Sequence, residues 1–237
     1  DLLSISISST DYVGHQHGPM SWEYLDHLRR ADRAITRLVE GLGGLDRVTV
    51  AITSDHGVAP MPPSGSARRI EPRTLAMAFE SLLLTAFGEG PHVAGFVPPW
   101  LYLHPDEERF DEKVALLLAH APAFDGIAAA FDVREAERLA ASTDPLERAV
   151  GLSLPPDADF DLYLVTERGA HFGLGEGGTS HGGPYPEERE VPGLLIGAGV
   201  GRGTSVSPRS MRDFHHTLRA LLGLPLDRDA RVLPGLR

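Results

Sequence analysis

Cysteine is absent from this sequence of 237 residues, and its absence excludes several chemistries. The chain can form no disulfide framework, no thiolate metal site and no cysteine nucleophile. Long apolar runs are missing too, since no segment approaches the roughly 20 residues that a membrane-spanning helix needs. We therefore expect no membrane span, and any metal ion must be bound through nitrogen and oxygen atoms.

Basic residues are scarce. The chain has 22 Lys and Arg against 33 Asp and Glu, which gives a formal net charge of -11 and a pI of about 5.4. This balance argues against a surface for a nucleic-acid polymer or an anionic membrane, because both need clustered positive charge. Small phosphorylated molecules remain possible ligands, since a bound dication can supply the charge that the protein lacks. The length suits one large α/β domain with an insertion.

One apolar segment ends on residues that can bind a metal. The β-branched run from Val48 to Thr53 is followed by Asp55, His56 and Gly57. The run predicts a buried strand, and ligands of open α/β sheets bind outside the carboxyl ends of strands. Asp55 and His56 can both turn toward one ion there. The alternative is a polar turn, in which Asp55 bonds its own backbone and His56 is merely exposed.

A second pair of this kind lies near the start of the chain. Apolar and serine residues alternate over 3–7, which predicts a period-two strand. Asp11 and His15 follow it four positions apart, so one helical turn places both on the same face, where they can chelate one Zn²⁺. His17 competes with His15, because only one of them shares the face of Asp11. The alternative is a capped turn with solvated histidines.

The segment between these two pairs predicts how they are arranged. Residues 21–42 show helical spacing of apolar residues and end in glycines, which is typical of an amphipathic helix. Strand 3–7, this helix and strand 48–53 would form a β-α-β unit with parallel strands and a right-handed crossover. Both pairs would then lie at the same edge of one sheet.

The middle of the chain is predicted to be an insertion. After Gly57 a loop rich in proline and glycine leaves the sheet, and residues 70–170 mix helical with strand-like segments, including a helix over 73–87 and a strand over 160–166. We expect this region to form a cap rather than an independent domain. Four of the histidines have no partner at ligand spacing and are expected to be exposed or hydrogen-bonded: His92, His104, His120 and His171.

A glycine-rich loop over 173–185 precedes the last predicted strand, 191–199, and helix, 210–222. The loop has no Lys-Ser or Lys-Thr pair, so it is not a nucleotide P-loop. Its glycines allow a close approach of the backbone or simply a flexible turn. His181 lies among small residues, as a metal ligand reaching over from a loop would.

These motifs together resemble the alkaline phosphatase superfamily. Ser-Ser-Thr-Asp-Tyr-Val-Gly-His around Asp11 and Thr-Ser-Asp-His-Gly around Asp55 are similar to the type I phosphodiesterase and nucleotide pyrophosphatase branch. Gly-Thr-Ser-His-Gly-Gly-Pro-Tyr around His181 resembles its bacterial alkaline phosphatases. The resemblance covers residues 1–60 and 175–223.

The resemblance implies a fold and a division of the chain. It implies an α/β fold with an alkaline-phosphatase-like, mostly parallel sheet flanked by helices. The core would consist of residues 1–69 and 171–237, which form the C-terminal part of such a fold. Residues 70–170 would be the inserted α+β cap region.

The resemblance also implies the metal ligands. One zinc ion would be held by Asp11, His15 and His181, and a second by Asp55 and His56, so that the full-length protein binds two. A pair of ions about 3.5 to 4 Å apart activates the nucleophile and neutralises phosphoryl charge.

The implied activity is a zinc-dependent phosphomonoesterase or phosphodiesterase acting on a small phosphate ester. The family places the nucleophile and one further aspartate ligand upstream of the segment that begins at Asp1, so no catalytic nucleophile is expected in this chain and it should be inactive alone. The resemblance alone suggests a periplasmic or secreted location. The alternatives are another metalloenzyme of the superfamily, a phosphomutase or a sulfatase, or a non-catalytic metal-binding domain.

Overall fold

The computed structural model describes residues 1–61, 68–105, 109–174, 177–204 and 207–234. Residues 62–67 of the loop after Gly57 and residues 175–176 of the glycine-rich loop therefore lie outside the described residues. The described part contains, in chain order, α1 (Ser9–His17), α2 (Trp22–Gly41), β1 (Thr49–Thr53), β2 (Arg68–Ile70), α3 (Pro72–Phe87), β3 (Val93–Val97), β4 (Trp100–Leu103), α4 (Phe110–His120), β5 (Ile127–Asp132), α5 (Ala136–Ala140), α6 (Pro145–Ser153), β6 (Leu162–Thr166), β7 (Ala170–Phe172), α7 (Pro186–Arg189), β8 (Gly193–Gly197) and α8 (Met211–Leu221).

The chain divides into two compact units. Unit 1 consists of residues 1–12, 22–57 and 190–237, and unit 2 consists of residues 13–21 and 58–189. Helix α1 begins in unit 1 and ends in unit 2. The assignment of residues 70–170 to a cap stays a prediction.

Unit 1 is built around an antiparallel pair of strands. β1 pairs with β8, and Ile52 lies opposite Leu194. Gly197 closes the ladder with a φ of 108°, and a Cβ at this position would lie 2.1 Å from the carbonyl oxygen of Val48, so only glycine fits. Helix α8 begins at Met211 and is capped by Ser210, whose side chain accepts a hydrogen bond from the backbone N–H of Arg212.

Two predictions about unit 1 are wrong. Residues 3–7 form no strand, and Leu3 and Ile5 are 64% and 58% exposed. A strand needs a neighbour for its backbone N–H and C=O groups, and no described strand pairs with this segment. The predicted parallel β-α-β unit is therefore not formed. Strands β1 and β8 do form where predicted, but no residue of either is fully buried, because they pair only with each other in the described residues.

Unit 2 contains the principal hydrophobic core. A four-stranded antiparallel sheet with the order β3-β4-β6-β5 packs against α3 and α4. Helix α3 begins at Pro72 and is capped by Glu71, whose carboxylate accepts hydrogen bonds from the backbone N–H groups of Arg73 and Thr74. The largest fully buried side chains of this core are Phe79, Leu83, Leu101, Leu117, Ile127, Leu162 and Leu164.

The fold is α/β, but its strand pairing is only partly parallel, whereas a mostly parallel sheet was predicted. Among the described strands, β2 and β7 form a parallel pair and the other pairs are antiparallel. Parallel neighbours require a long crossover, while β3 and β4 are joined by a two-residue turn that imposes an antiparallel hairpin. None of the described helices has both the length and the apolar character that crossing a membrane would take.

Candidate metal centre

Unit 1 brings two carboxylates to one imidazole nitrogen. Nε2 of His56 lies 3.9 Å from Oδ1 of Asp11 and 3.7 Å from Oδ1 of Asp55. These distances are too long for hydrogen bonds. Two ligands of one tetrahedral zinc ion are roughly 3.4 Å apart, since each lies about 2.0 to 2.1 Å from the metal. Each of the two carboxylates thus approaches Nε2 of His56 at roughly the spacing of two ligands of one cation.

The segment after β1 also sets the orientation of His56. Nδ1 of His56 lies 2.8 Å from the carbonyl oxygen of Gly57, to which it donates a hydrogen bond. The nitrogen that approaches the two carboxylates is therefore Nε2, and in the neutral ring it carries the lone pair. A histidine that binds a metal through one nitrogen commonly donates the other N–H to a backbone carbonyl in this way.

The Asp55 carboxyl is set to be ionised at neutral pH. Its burial acts to raise its pKa, but hydrogen bonds from the backbone N–H groups of Asp55 and His56 outweigh this effect, together with the nearby His56 and Ser54, and the pKa is lowered. The bond from the His56 N–H is 3.1 Å long. The bonding of Asp55 to the backbone, one part of the alternative polar turn, is thus present, whereas His56 is only partly exposed. The lowered pKa leaves the carboxylate charged, which is the form that binds a metal.

Unit 2 brings together the two other predicted histidines. The ring centroids of His15 and His181 are 4.9 Å apart. His15 lies in the last turn of α1, and its Nδ1 donates to the carbonyl oxygen of Thr179 at 2.7 Å. As with His56, a backbone carbonyl takes Nδ1, so Nε2 is the nitrogen suited to a metal. Helix α1 also confirms the predicted helical turn that contains Asp11 and His15 four residues apart.

Two of the histidines that were not expected to be ligands are buried and hydrogen-bonded. Nε2 of His92 lies 3.2 Å from the carbonyl oxygen of Gly88, and Nε2 of His171 lies 3.4 Å from Oγ1 of Thr179. Burial lowers the pKa of His171, and the charge of Arg69 lowers it further, so its ring is neutral at physiological pH. The prediction for these two histidines is confirmed.

The side chains that hold the loop of His181 were not predicted from the sequence. We define the His181 loop as residues 177–183. Nη2 of Arg69 donates to the carbonyl oxygens of Gly177 and Gly178, both at 2.5 Å, and Glu188 accepts a 2.7 Å hydrogen bond from the N–H of Gly183. Arg69 is 112 positions away from His181, so no local pattern relates the two. Thr179 belongs to a motif that resembles the family, but its contacts could not be inferred from the motif.

A cavity of about 280 Å³ lies in unit 2 beside this loop. Its described lining contains no lysine or arginine and includes Pro99, Tyr163, Phe172, Glu188 and His181. Burial raises the pKa of the Glu188 carboxyl, and the negative charge of the neighbouring Glu187 raises it further. The hydrogen bond from the Gly183 N–H lowers this pKa but does not outweigh the other two effects. The described lining is thus apolar to weakly acidic and includes no lysine or arginine side chain.

Glu188 is expected to make stability depend on pH. The folded-state pKa of Glu188 is raised above its usual value of 4.5, so the folded protein binds this proton more tightly than the unfolded protein does. The resulting stabilisation is present below about pH 4.5 and is lost as the pH rises through the folded-state pKa. Glu188→Gln keeps an acceptor for Gly183 and should reduce this loss. Urea unfolding of both proteins across this pH range, with the exposed Glu137→Gln as control, measures it; parallel pH profiles of wild type and Glu188→Gln would contradict the prediction.

Comparison with known proteins gives consistent matches. A family model described as type I phosphodiesterase / nucleotide pyrophosphatase matches residues 1–187. The alkaline phosphatase PhoV of Synechococcus elongatus is 28% identical over 236 residues, covering 94% of this chain and 42% of that protein. A calcium-transporting ATPase of Myroides odoratus is 26% identical over 236 residues, covering 94% of this chain and 43% of that protein.

The fold matches a solved structure as well. The crystal structure of wild-type alkaline phosphatase PafA aligns with a TM-score of 0.78 at 20% sequence identity, covering 97% of this chain and 46% of that chain. The predicted alkaline-phosphatase-like α/β fold is thereby confirmed. This chain spans less than half the length of each of these three relatives.

Proposed function

Since the chain belongs to the type I phosphodiesterase / nucleotide pyrophosphatase family of the alkaline phosphatase superfamily, we propose that it supplies the zinc-binding residues of an enzyme that hydrolyses small phosphate esters. The observation that carries the proposal is the orientation of two imidazoles. In both units a backbone carbonyl accepts a hydrogen bond from Nδ1 of a predicted ligand, His56 or His15, which presents Nε2 for coordination.

The proposed ligand sets follow the family resemblance. Asp11, His15 and His181 bind one zinc ion, and Asp55 with His56 contributes to the second. Carboxylate oxygens and imidazole nitrogens are ligands that zinc accepts, and the chain has no thiolate that could compete. When bound, such a pair of ions neutralises the phosphoryl charge and provides a hydroxide at neutral pH.

The cavity in unit 2 supports a small-molecule substrate. His181 and residues of the predicted cap, Pro99 and Tyr163, line it together. Because its described lining has no lysine or arginine, the cavity is suited to the organic part of an ester rather than to its phosphate. We propose that the phosphoryl group binds at the metal ligands and that the cap residues contact the alcohol part.

The serines next to the proposed ligands are not placed as nucleophiles. The hydroxyl of Ser54 donates to the carbonyl oxygen of His56 at 2.6 Å, and the hydroxyl of Ser180 lies 3.5 Å from the carbonyl oxygen of His181. A serine nucleophile is activated by a base that accepts its proton or by coordination to a metal. The hydroxyls of Ser54 and Ser180 are directed to backbone carbonyls, which provide neither. We propose that the nucleophile is not part of this chain and that the chain alone hydrolyses no phosphate ester.

Zinc titration of the metal-free chain tests the ligands. We expect wild type to bind zinc and His181→Ala to bind it more than about a hundredfold more weakly, because even the loss of a side chain that only supports a ligand costs about 10- to 100-fold. The exposed His120→Ala is the matched control and should bind like wild type. Equal affinity of His181→Ala and wild type would reject the assignment. Phosphate ester turnover by the chain alone would reject the proposed place of the nucleophile.

A further inference from the structure

The contacts of Thr179 assign it a role that no motif describes. We propose that Thr179 is a positioning residue, whose backbone fixes the tautomer of His15 and whose hydroxyl holds that backbone in place. Thr179 is 5% exposed and lies two residues before His181 in the His181 loop. The expected effect on zinc affinity rests on the proposed zinc ligands. The effect of Thr179 on the tautomer of His15 concerns the metal-free protein.

The backbone of Thr179 forms a reciprocal pair of hydrogen bonds with His15. Its N–H donates to the carbonyl oxygen of His15 at 2.8 Å, and its own carbonyl oxygen accepts from Nδ1 of His15 at 2.7 Å. The two bonds hold both the backbone and the ring of His15 against the same residue. A proton held on Nδ1 places the lone pair of the neutral ring on Nε2, the nitrogen proposed to bind zinc.

The side chain of Thr179 anchors this arrangement from the other direction. Its hydroxyl donates to the carbonyl oxygen of Ala59 at 2.8 Å in a buried position, and the N–H of Ala59 donates to the carbonyl oxygen of Ser180 at 3.0 Å. Ala59 is 1% exposed and three residues beyond His56 in the sequence. The hydroxyl therefore ties the His181 loop to the segment that follows the Asp55-His56 pair.

The residue before Thr179 must be glycine for this contact to form. Gly178 has a φ of 84°, and a Cβ there would lie 2.6 Å from the carbonyl oxygen of His15. A side chain at this position would be strained by the backbone conformation and would also push the loop away from α1. Gly178 allows the loop to approach His15 closely, but a glycine also makes the chain more flexible. The loop therefore needs a further contact that holds it in place, and the buried hydroxyl of Thr179 provides this contact.

A purely structural role would be a stabilising hydrogen bond without effect on His15. The two interpretations differ in what Thr179→Val changes, because valine has the shape of threonine but lacks the hydroxyl. If the hydroxyl holds the backbone, its loss releases the carbonyl from Nδ1 of His15. If it only stabilises the loop, the tautomer of His15 is unchanged while the protein becomes less stable.

The tautomer can be measured directly in the metal-free chain by long-range ¹H–¹⁵N NMR of the histidine rings, at a pH where they are neutral. We expect His15 of wild type and of Thr179→Ser to carry its proton on Nδ1, and His15 of Thr179→Val to populate the Nε2–H form. Zinc affinity should fall by about 10- to 100-fold in Thr179→Val and stay near the wild-type value in Thr179→Ser. Urea unfolding of all three proteins separates these effects from loss of stability.

Several outcomes would overturn the inference. An Nε2–H tautomer of His15 in the wild-type protein would overturn it. This measurement needs no variant, so it decides the question even if Thr179→Val fails to fold. An unchanged tautomer in a folded Thr179→Val, or equal losses in the valine and serine variants, would do the same. If wild type binds no zinc but the tautomer responds as expected, the proposed function fails while the role of Thr179 toward His15 is supported.

Discussion

In the proposed phosphate ester hydrolase that contains this chain, replacing His56 by alanine is expected to lower kcat/KM more than about a hundredfold, since the loss of a residue that only supports a metal ligand already costs about 10- to 100-fold. Nε2 of His56 lies within 4 Å of carboxylate oxygens of both Asp11 and Asp55. Its removal takes away the imidazole nitrogen that lies near both carboxylates. A cation bound there would lose one of its ligands, so zinc content and turnover are expected to fall together.

Steady-state kinetics with an aryl phosphate and metal analysis of the purified proteins measure this effect. His104→Ala is the matched control, because His104 is exposed and its backbone N–H bond to the carbonyl oxygen of His92 does not depend on the side chain. We expect zinc content and kcat/KM of the control to match wild type. A His56→Ala enzyme with wild-type turnover would refute the proposed site.

Phe79→Ala is expected to destabilise unit 2 by about 3–5 kcal/mol, the cost typical of removing a buried phenyl ring. Phe79 is 0% exposed in the core between α3 and the sheet, and its ring meets that of Phe124 edge to face at a centroid distance of 4.9 Å. The substitution removes the transfer free energy of the ring and leaves a cavity that the surrounding strands can fill only partly.

Urea denaturation followed by circular dichroism gives the difference in unfolding free energy. Met77→Ala, on the same helix and 64% exposed, should change stability by less than about 0.5 kcal/mol. An equal loss in both variants would contradict the attribution to core packing, because alanine is the best helix former and neither substitution weakens the helix propensity of α3. A negligible loss in Phe79→Ala would show that this core is not the source of the stability of unit 2.

Local patterns were sufficient for several elements and for the ligand-bearing positions. The apolar run ending at Thr53 forms β1, the predicted helix over 73–87 is found as Pro72–Phe87, and the predicted strand over 160–166 is found as Leu162–Thr166. Asp11 and His15 lie on one helix as their spacing predicted. Such features depend on the periodicity of residues close in the sequence, which is why the sequence reveals them.

Burial and strand pairing could not be obtained in this way. The alternation over 3–7 has the pattern of a strand, yet no described strand pairs with it, and the β-branched run of β1 was expected to be buried but is not. A pattern states which face of a strand would be apolar. Whether that face is covered depends on other segments, and these are specified by long-range packing.

The sequence by itself determined the candidate ligands Asp11, His15, Asp55, His56 and His181, because their residue types and their positions at the ends of elements carry the chemistry. Only the tertiary structure decided which nitrogen of His15 is presented and what holds the His181 loop. The bond from His15 to Thr179 joins residues 164 positions apart, and the bond from Thr179 to Ala59 joins residues 120 positions apart. Contacts over such separations leave no periodic trace in the sequence, since they depend on how distant segments come together when the chain folds.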